Sequence, residues 1–286
     1  MRYDISVTEA IEQRFSCRTY NPRPIERETQ QALEAFIANA EAPPFRTPTR
    51  FRLVAATEAD SQELKGLGTY GFIQGASGFL VGAVEGGSKN MEDYGWQLED
   101  LILLATSLDL GTCWLGGTFT KSSFAERIDL RDDEIMPAVV SIGYIAERRS
   151  LRERLIRLGA GSHRRLPWER LFFDGQFGVP LTREAAGPVA VPLEMVRLGP
   201  SASNKQPWRV VRQASAWHLY LQRTPGYGRG ISSPATTADL QRVDMGIAMA
   251  HFEFTARESG LEGGWRVEDP GILPADEYTE YVATWV

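Results

Sequence analysis

Cysteine and histidine are scarce in this chain, two and three in 286 residues. Cys17 and Cys113 cannot build a disulfide framework, and neither stands at a metal-ligand spacing from His163, His218 or His251. Both thiols are therefore expected to be reduced, and no metal site is expected. Uncharged apolar runs of membrane-spanning length are missing. The first 15 residues carry acidic side chains instead of the apolar core of a targeting signal. The expected partners exclude a membrane, and the default location is cytoplasmic. Positive charge is in deficit, with 31 Lys and Arg against 37 Asp and Glu and a formal net charge of −6. A general nucleic-acid binder needs the opposite balance, so any anion site here must be local. What is present is the composition of a folded chain, 43% hydrophobic and 24% charged, long enough to bury one large core or two smaller ones.

Apolar spacing at Val7, Ile11 and Phe15 predicts a helix that breaks at Asn21, Pro22 and Pro24, with a second helix running to about Ala40. Strands are expected at 51–55, 79–84 and 136–145, and a long, mostly apolar, buried helix over 96–107. From about Glu147 the composition shifts. Arg148, Arg149, Arg152, Arg154, Arg157, Arg164 and Arg165 crowd a short span, and Pro and Gly recur to Pro192, which marks a linker or wrapping segment. Beyond it come an expected helix at 193–198, strands at 208–211 and 216–221, a helix over 238–259 and a last strand at 281–286.

The second half repeats the plan of the first. A slide of 151 positions lays Trp114 on Trp265, Leu110 on Leu261, Ala105 on Ala256 and Asp93 on Asp244. A slide of 157 lays Phe51 on Trp208, Arg52 on Arg209, Val54 on Val211 and Pro43 on Pro200. Both slides keep one order of elements, so the chain reads as a diverged internal duplication of one α+β unit, with halves at 1–165 and 166–286.

Three segments carry patterns that chemistry could use. In Arg14-Phe15-Ser16-Cys17-Arg18, at the end of the first helix, two arginines four apart share a helical face and could converge with the serine on one anion. A solvated basic helix end is the plainer reading. The stretch Pro200-Ser201-Ala202-Ser203-Asn204-Lys205-Gln206-Pro207-Trp208 offers backbone N–H groups and short polar side chains to a planar ligand, or is a simple turn. Gly111-Thr112-Cys113-Trp114-Leu115-Gly116-Gly117 follows the apolar helix. Its glycines let the backbone lie against a ring system, or mark a helix C-cap before a strand.

Together with a strand ending Gly143-Tyr144-Ile145-Ala146-Glu147-Arg148, these motifs resemble the nitroreductase family of FMN-dependent oxidoreductases, over nearly the whole chain. The resemblance implies a nitroreductase-like α+β fold and an FMN bound between two units, one supplying the Arg-Ser-Arg motif and the other the Pro-Ser loop. The order departs from the ordinary family, because the Pro-Ser loop comes more than 180 residues after the arginine motif. At its usual place stands Pro43-Pro44-Phe45-Arg46-Thr47-Pro48, and the second half has no arginine motif and only a reduced turn, Leu261-Glu262-Gly263-Gly264-Trp265. This resembles the tandem, single-chain branch of the superfamily, a pseudo-dimer with one composite site and one degenerate mirror image, and it implies a monomer.

By the same resemblance Arg14 and Ser16 would hold the FMN phosphate, with Arg148 or Arg149, and Arg18 would reach the pyrimidine edge. Gly116 and Gly117 would set backbone groups beside the reactive N5 edge, with Phe15 and Leu115 among the contacts, and Pro200, Ser201, Ala202 and Asn204 would close the site from the second half. The implied activity is hydride transfer from NAD(P)H to a small electrophile such as a nitroaromatic or quinone. A flavin-binding carrier or sensor without turnover is the alternative.

Some motifs are set aside. Gly66-Leu67-Gly68-Thr69-Tyr70-Gly71 spells GxGxxG but follows an apparent helix and precedes a strand, the reverse of a dinucleotide fold. His251-Phe252-Glu253 lacks partner cysteines for zinc, and Trp96, Trp168, Trp208 and Trp265 read as core. Residues 70–78 are glycine-rich enough to move as a lid.

Overall fold

Residues 3–55, 64, 67–147, 164–227 and 238–286 are described in a computed structural model of the chain. In the first half, α1 (Val7–Gln13), α2 (Arg27–Ala38), β1 (Thr49–Ala55), β2 (Gly78–Glu85), α3 (Asn90–Ser107), β3 (Leu110–Leu115), α4 (Lys121–Arg127), β4 (Glu134–Ile135) and β5 (Val139–Tyr144) follow one another. The second half holds β6 (Phe172–Asp174), α5 (Arg183–Ala186), α6 (Ala190–Leu198), β7 (Trp208–Gln213), β8 (Ala216–Gln222), α7 (Leu240–Glu258), β9 (Trp265–Arg266) and β10 (Thr279–Trp285).

Each half builds its own five-stranded sheet. The first runs β1-β2-β5-β3, with β4 beside the end of β2, and the second runs β6-β7-β8-β10-β9. Without β4 and the parallel edge strand β6, both are antiparallel and the orders correspond: the first two strands form a pair, the last strand joins them, and the strand after the long helix lies outermost. The expected duplication of an α+β unit is thus the architecture of the molecule. Within the first sheet, β2 is buried on both faces and its alternation decides where each side chain goes. Phe79, Val81 and Ala83 enter a small outer cluster with Phe119, Phe124 and Met136, while Leu80 and Val84 face the main core.

The main core is organised by α3 and α7, each buried nearly all round. A helix hydrophobic on one side only could not occupy this place. They cross at Gly95 and Gly246, which stand 151 positions apart, the displacement already visible in the sequence. A Cβ on Gly95 would lie 2.2 Å from the Val243 carbonyl oxygen, and one on Gly246 2.0 Å from that of Glu92. The two backbones therefore touch, which any larger residue would prevent. Several polar residues of these buried helices are partnered across the core. Asp100 accepts from the Tyr3 hydroxyl at 2.6 Å, and Glu92 accepts from Arg242 Nε at 2.9 Å across the crossing.

Three local expectations change. α1 ends at Gln13 instead of passing Phe15, because Arg14 adopts extended angles (φ −60°, ψ 130°) while its N–H still caps Ala10. The Gly111 to Leu115 stretch is strand β3, and its backbone pairs with β5 along its full length. α6 begins at Ala190, earlier than expected. Pro192 falls in its first turn, where the missing N–H has no partner to lose. Among the described residues no helix is long and apolar enough to cross a membrane.

Candidate functional site

The arginine motif is extended. After Arg14 the chain runs beside β3, with Ser16 bridged to Thr112 and the Cys17 N–H donating to the Thr112 carbonyl at 2.8 Å. The expected shared helical face is therefore wrong in its cause. In extended chain, residues two apart lie on one side, so Arg14, Ser16 and Arg18 are still grouped, alternating with Phe15 and the buried Cys17. Arg18 is half-buried and its guanidinium reaches back to the Ser16 carbonyl at 3.4 Å. The segment proposed as a lid lies alongside, tied by Gln74 N–H to the Arg18 carbonyl and by Tyr20 N–H to the Gln74 carbonyl, both at 2.9 Å.

The Pro-Ser loop is strained and heavily braced. Ser203, Asn204 and Gln206 all take positive φ, 50°, 54° and 50°. Each such residue costs about 1 kcal/mol or more, so the surroundings must hold them. Asn204 Oδ1 accepts from Arg165 at 3.0 Å and its amide donates to the Arg164 carbonyl at 3.0 Å. Gln206 accepts from Leu166 N–H at 2.7 Å and donates to the carbonyls of Arg164 and Asn204, while its own N–H donates to Ser201 Oγ. On the inner side Ala202 N–H donates to Asp244 Oδ1 at 2.9 Å. The side chains of Asn204, Gln206 and Ser201 thus brace the loop. Asn204, expected as a direct ligand contact, has both polar ends committed to the 164–166 connector.

The motifs from the two halves approach each other at two places. At one, Arg165 of the connector, anchored to Asn204 and to the Leu198 carbonyl at 2.9 Å, stands near Arg14 of the first half. At the other, Gly116 lies against the start of α7, so close that a Cβ there would sit 2.5 Å from Leu240. Asp244, on the next turn, holds Ala202. Leu115 is buried beneath, whereas a Cβ on Gly117 would meet nothing within 4 Å. Arg148 and Arg149 lie outside the described residues.

The electrostatics of this junction are unbalanced toward positive charge. Arg14 is 5% exposed, its Nε has no hydrogen-bond partner, and Glu99 approaches only to 3.8 Å. Burial lowers the proton affinity of Arg14, with Glu99 and then Cys113 partly opposing. Arg165 is pushed down to about 10, first by burial and then by Arg14 and Arg197. Two partly desolvated guanidiniums so placed are stabilised by an added anion. Asp244, whose second oxygen is buried without a partner, is pushed well above the usual carboxylate range, chiefly by burial. Two cavities, of about 560 and 570 Å³, open elsewhere, around Gly178 on the outer side of the second half.

The family model described as "Putative TM nitroreductase" matches residues 6–256. The chain belongs to that family. This TM nitroreductase family member is similar over 99% of its length to a solved structure described as a putative nitroreductase from Thermotoga maritima. That match covers 93% of the other chain at 19% identity with a TM-score of 0.61, and it shows the shared fold. A nitroreductase with bound FMN from Bacteroides fragilis matches 51% of this chain and 92% of its own, at 22% identity and a TM-score of 0.40. A nitroreductase family protein from Clostridium difficile matches 57% of this chain and 94% of its own, at 19% identity and a TM-score of 0.41. No curated protein matches the sequence.

In this member of the family, Arg165, Glu99, His251 and the role of Asp244 were not legible as site features in the sequence. Arg165 belongs to the basic run that sequence reading singled out, but charge density alone could not say which arginine turns inward. Asp244 was visible as the partner of Asp93 under the 151-residue slide.

Proposed function

We propose that this oxidoreductase binds one FMN per chain at the junction of its halves and passes hydride from NAD(P)H to a small electrophile such as a nitroaromatic or quinone. The observation that carries the reading is the Arg14 guanidinium, almost fully buried with its Nε unpartnered, which also feels the charge of Arg165 from the connector. A phosphate monoester supplies an acceptor oxygen and a negative charge for the Arg14 Nε. Arg14, Ser16 and Arg165 would hold it. Arg18, two residues on, would place positive charge beside the ring, where it favours the anionic reduced form. The open side of Gly117 and the backbone of 200–204 would bound the ring, and Phe15 and Leu115 would pack nearby. When bound, FMN supplies the hydride-accepting and hydride-donating chemistry. The protein positions it and keeps water from the buried junction.

Both motif sets lie in one chain, with the boundary between halves at about 165, so the active species is a monomer located in the cytoplasm. The test is an absorption spectrum of the purified protein, flavin release, and NAD(P)H oxidation with a quinone acceptor. One FMN per monomer by light scattering, with turnover, is expected. A ratio near two, or flavin held only by a dimer, overturns the composite site, and bound flavin without turnover turns the reading to a carrier or sensor.

A further inference from the structure

Beneath Arg14, deeper than the proposed phosphate, lies a buried network drawn from four elements. Glu99 on α3 and His251 on α7 are both fully buried, with His251 Nε2 2.9 Å from Glu99 Oε1. The other oxygen of Glu99 accepts from the Trp114 indole at 2.8 Å. His251 Nδ1 lies 2.8 Å from the Met195 carbonyl of α6. A carbonyl oxygen cannot donate, so Nδ1 must carry a proton there, and Nε2 of the neutral ring would then face the glutamate with a lone pair. The contact at 2.9 Å requires one more proton on that axis, on the imidazole or on the carboxyl. In either case the negative charge that Glu99 offers to Arg14 is already counterbalanced.

A second buried glutamate, Glu253 on α7, is held without this device. Glu253 accepts from the indoles of Trp96 and Trp265 at 2.7 and 2.9 Å and pairs with Arg257 of its own helix at 2.6 Å. Trp114 and Trp265 are equivalent under the 151-residue slide, but on the Glu253 side two neutral donors stand in place of one indole and one imidazole. The titratable donor occurs where the arginine motif is.

We propose that His251 is a positioning residue for Arg14: it occupies Glu99 Oε1 and neutralises the carboxylate, which keeps the Arg14 guanidinium from collapsing into a full ion pair and leaves it available to an anion. The proposal rests on the reading of Arg14 as the anion-holding cation. The other charged or titratable groups around Arg14 are Cys113, Arg165 and, behind Arg165, Arg197, and none of them contacts the Glu99 oxygen that His251 holds.

Three variants and one spectrum test it. In His251→Leu, Glu99 regains its full charge, the Arg14 Nε to Glu99 Oε1 distance shortens to hydrogen-bonding range in the flavin-free crystal, and FMN binds about tenfold more weakly. Adding Glu99→Gln removes that competing charge. The double variant then binds FMN more tightly than His251→Leu alone, while Glu99→Gln alone reports the separate cost of disturbing Trp114. A purely structural role predicts the opposite, cumulative loss in the double variant with no shortening. If the leucine variant does not fold, nitrogen-15 NMR of the native imidazole decides. Protons on both ring nitrogens, or one shared between Nε2 and Oε1, support the proposal, and a bare Nε2 beside an unprotonated carboxylate overturns it. Neither the distance nor the spectrum requires flavin, so a native protein that binds no FMN would sink the cofactor reading and leave these two readouts to judge His251.

Discussion

Asp93 and Asp244 occupy equivalent turns of the two central helices, and each holds the loop that precedes the first long strand of its own sheet. Asp93 does so with both oxygens, accepting from Phe45 N–H at 2.9 Å and Thr47 N–H at 2.8 Å. Asp244 uses one oxygen for Ala202 and leaves the other buried and unpartnered. The first loop has a single residue at positive φ, Arg46, whereas the second has three. The first loop has closed onto its anchor and has no further bond to make. The second carries a cost in strain and in an unpartnered carboxyl oxygen that the first does not. Trp265, the equivalent of Trp114, packs edge-on against Trp285 at 5.2 Å and tilted against Phe252 at 5.8 Å.

The largest effect expected from this asymmetry concerns the two arginines beside the buried glutamates. Arg14→Ala should weaken FMN binding about a hundredfold, the scale for losing a buried charge-assisted contact, while Arg257→Ala, beside Glu253 and half-exposed, leaves affinity unchanged. Arg18→Ala should instead slow flavin reduction with a smaller loss of affinity, because a charge beside the ring acts most on the reduced form. Fluorescence titration and stopped-flow reduction read the two. Equal affinity losses at Arg14 and Arg257 would remove the distinction between a live and a closed half.

The anchoring aspartates should respond next, and in opposite directions. Asp93→Asn strands one of two buried N–H donors and should cost about 1–3 kcal/mol. Asp244→Asn keeps an acceptor for Ala202 and removes a buried ionisable group. The native Asp244 carboxyl is held above its unfolded value, so the folded protein binds that proton more tightly than the unfolded chain. The stability it contributes is present below about pH 4 and is lost as pH rises through the raised value. Thermal melts from pH 4 to pH 8 should therefore show Asp244→Asn gaining on the native protein with rising pH, while Asp93→Asn, whose native carboxyl is also raised by burial but less, gains less and stays below it. Parallel curves would mean that both loops are anchored alike.

The smallest change in stability should come at Gly117 and Gly264, where an added Cβ meets nothing within 4 Å. Alanine at either position should move the melting temperature little, within the roughly 0.5 kcal/mol typical of open sites. Only Gly117→Ala should reduce flavin affinity, because only that space faces the junction of the motifs. Unchanged flavin binding in Gly117→Ala would move the ring elsewhere.

Much of the fold could be read locally. The alternation in β2 and the long apolar run of α3 announce their own burial, and the 151-residue displacement between Trp114 and Trp265 also joins Gly95 to Gly246, the point where the halves touch. The site was less accessible. Arg14, Ser16 and Arg18 were found as a group, but through a helical face that does not exist, since the helix stops at Gln13 and the grouping comes from extended chain. Asn204 was expected to touch a ligand and instead braces Arg165.

By itself, then, the sequence determined the periodicities, the repeat and the motif segments, because each depends on neighbours a few residues apart or on the similarity of one half to the other. Only the tertiary structure decided that Arg165 braces the Pro-Ser loop, that Asp244 keeps an unpartnered oxygen where Asp93 does not, and that Glu99 is shared among Trp114, His251 and Arg14. Those facts depend on bonds spanning tens to more than a hundred residues, set by the crossing of α3 and α7. No local pattern records where such a crossing brings two side chains to within 3 Å, since the geometry belongs to the packed backbone and not to either segment.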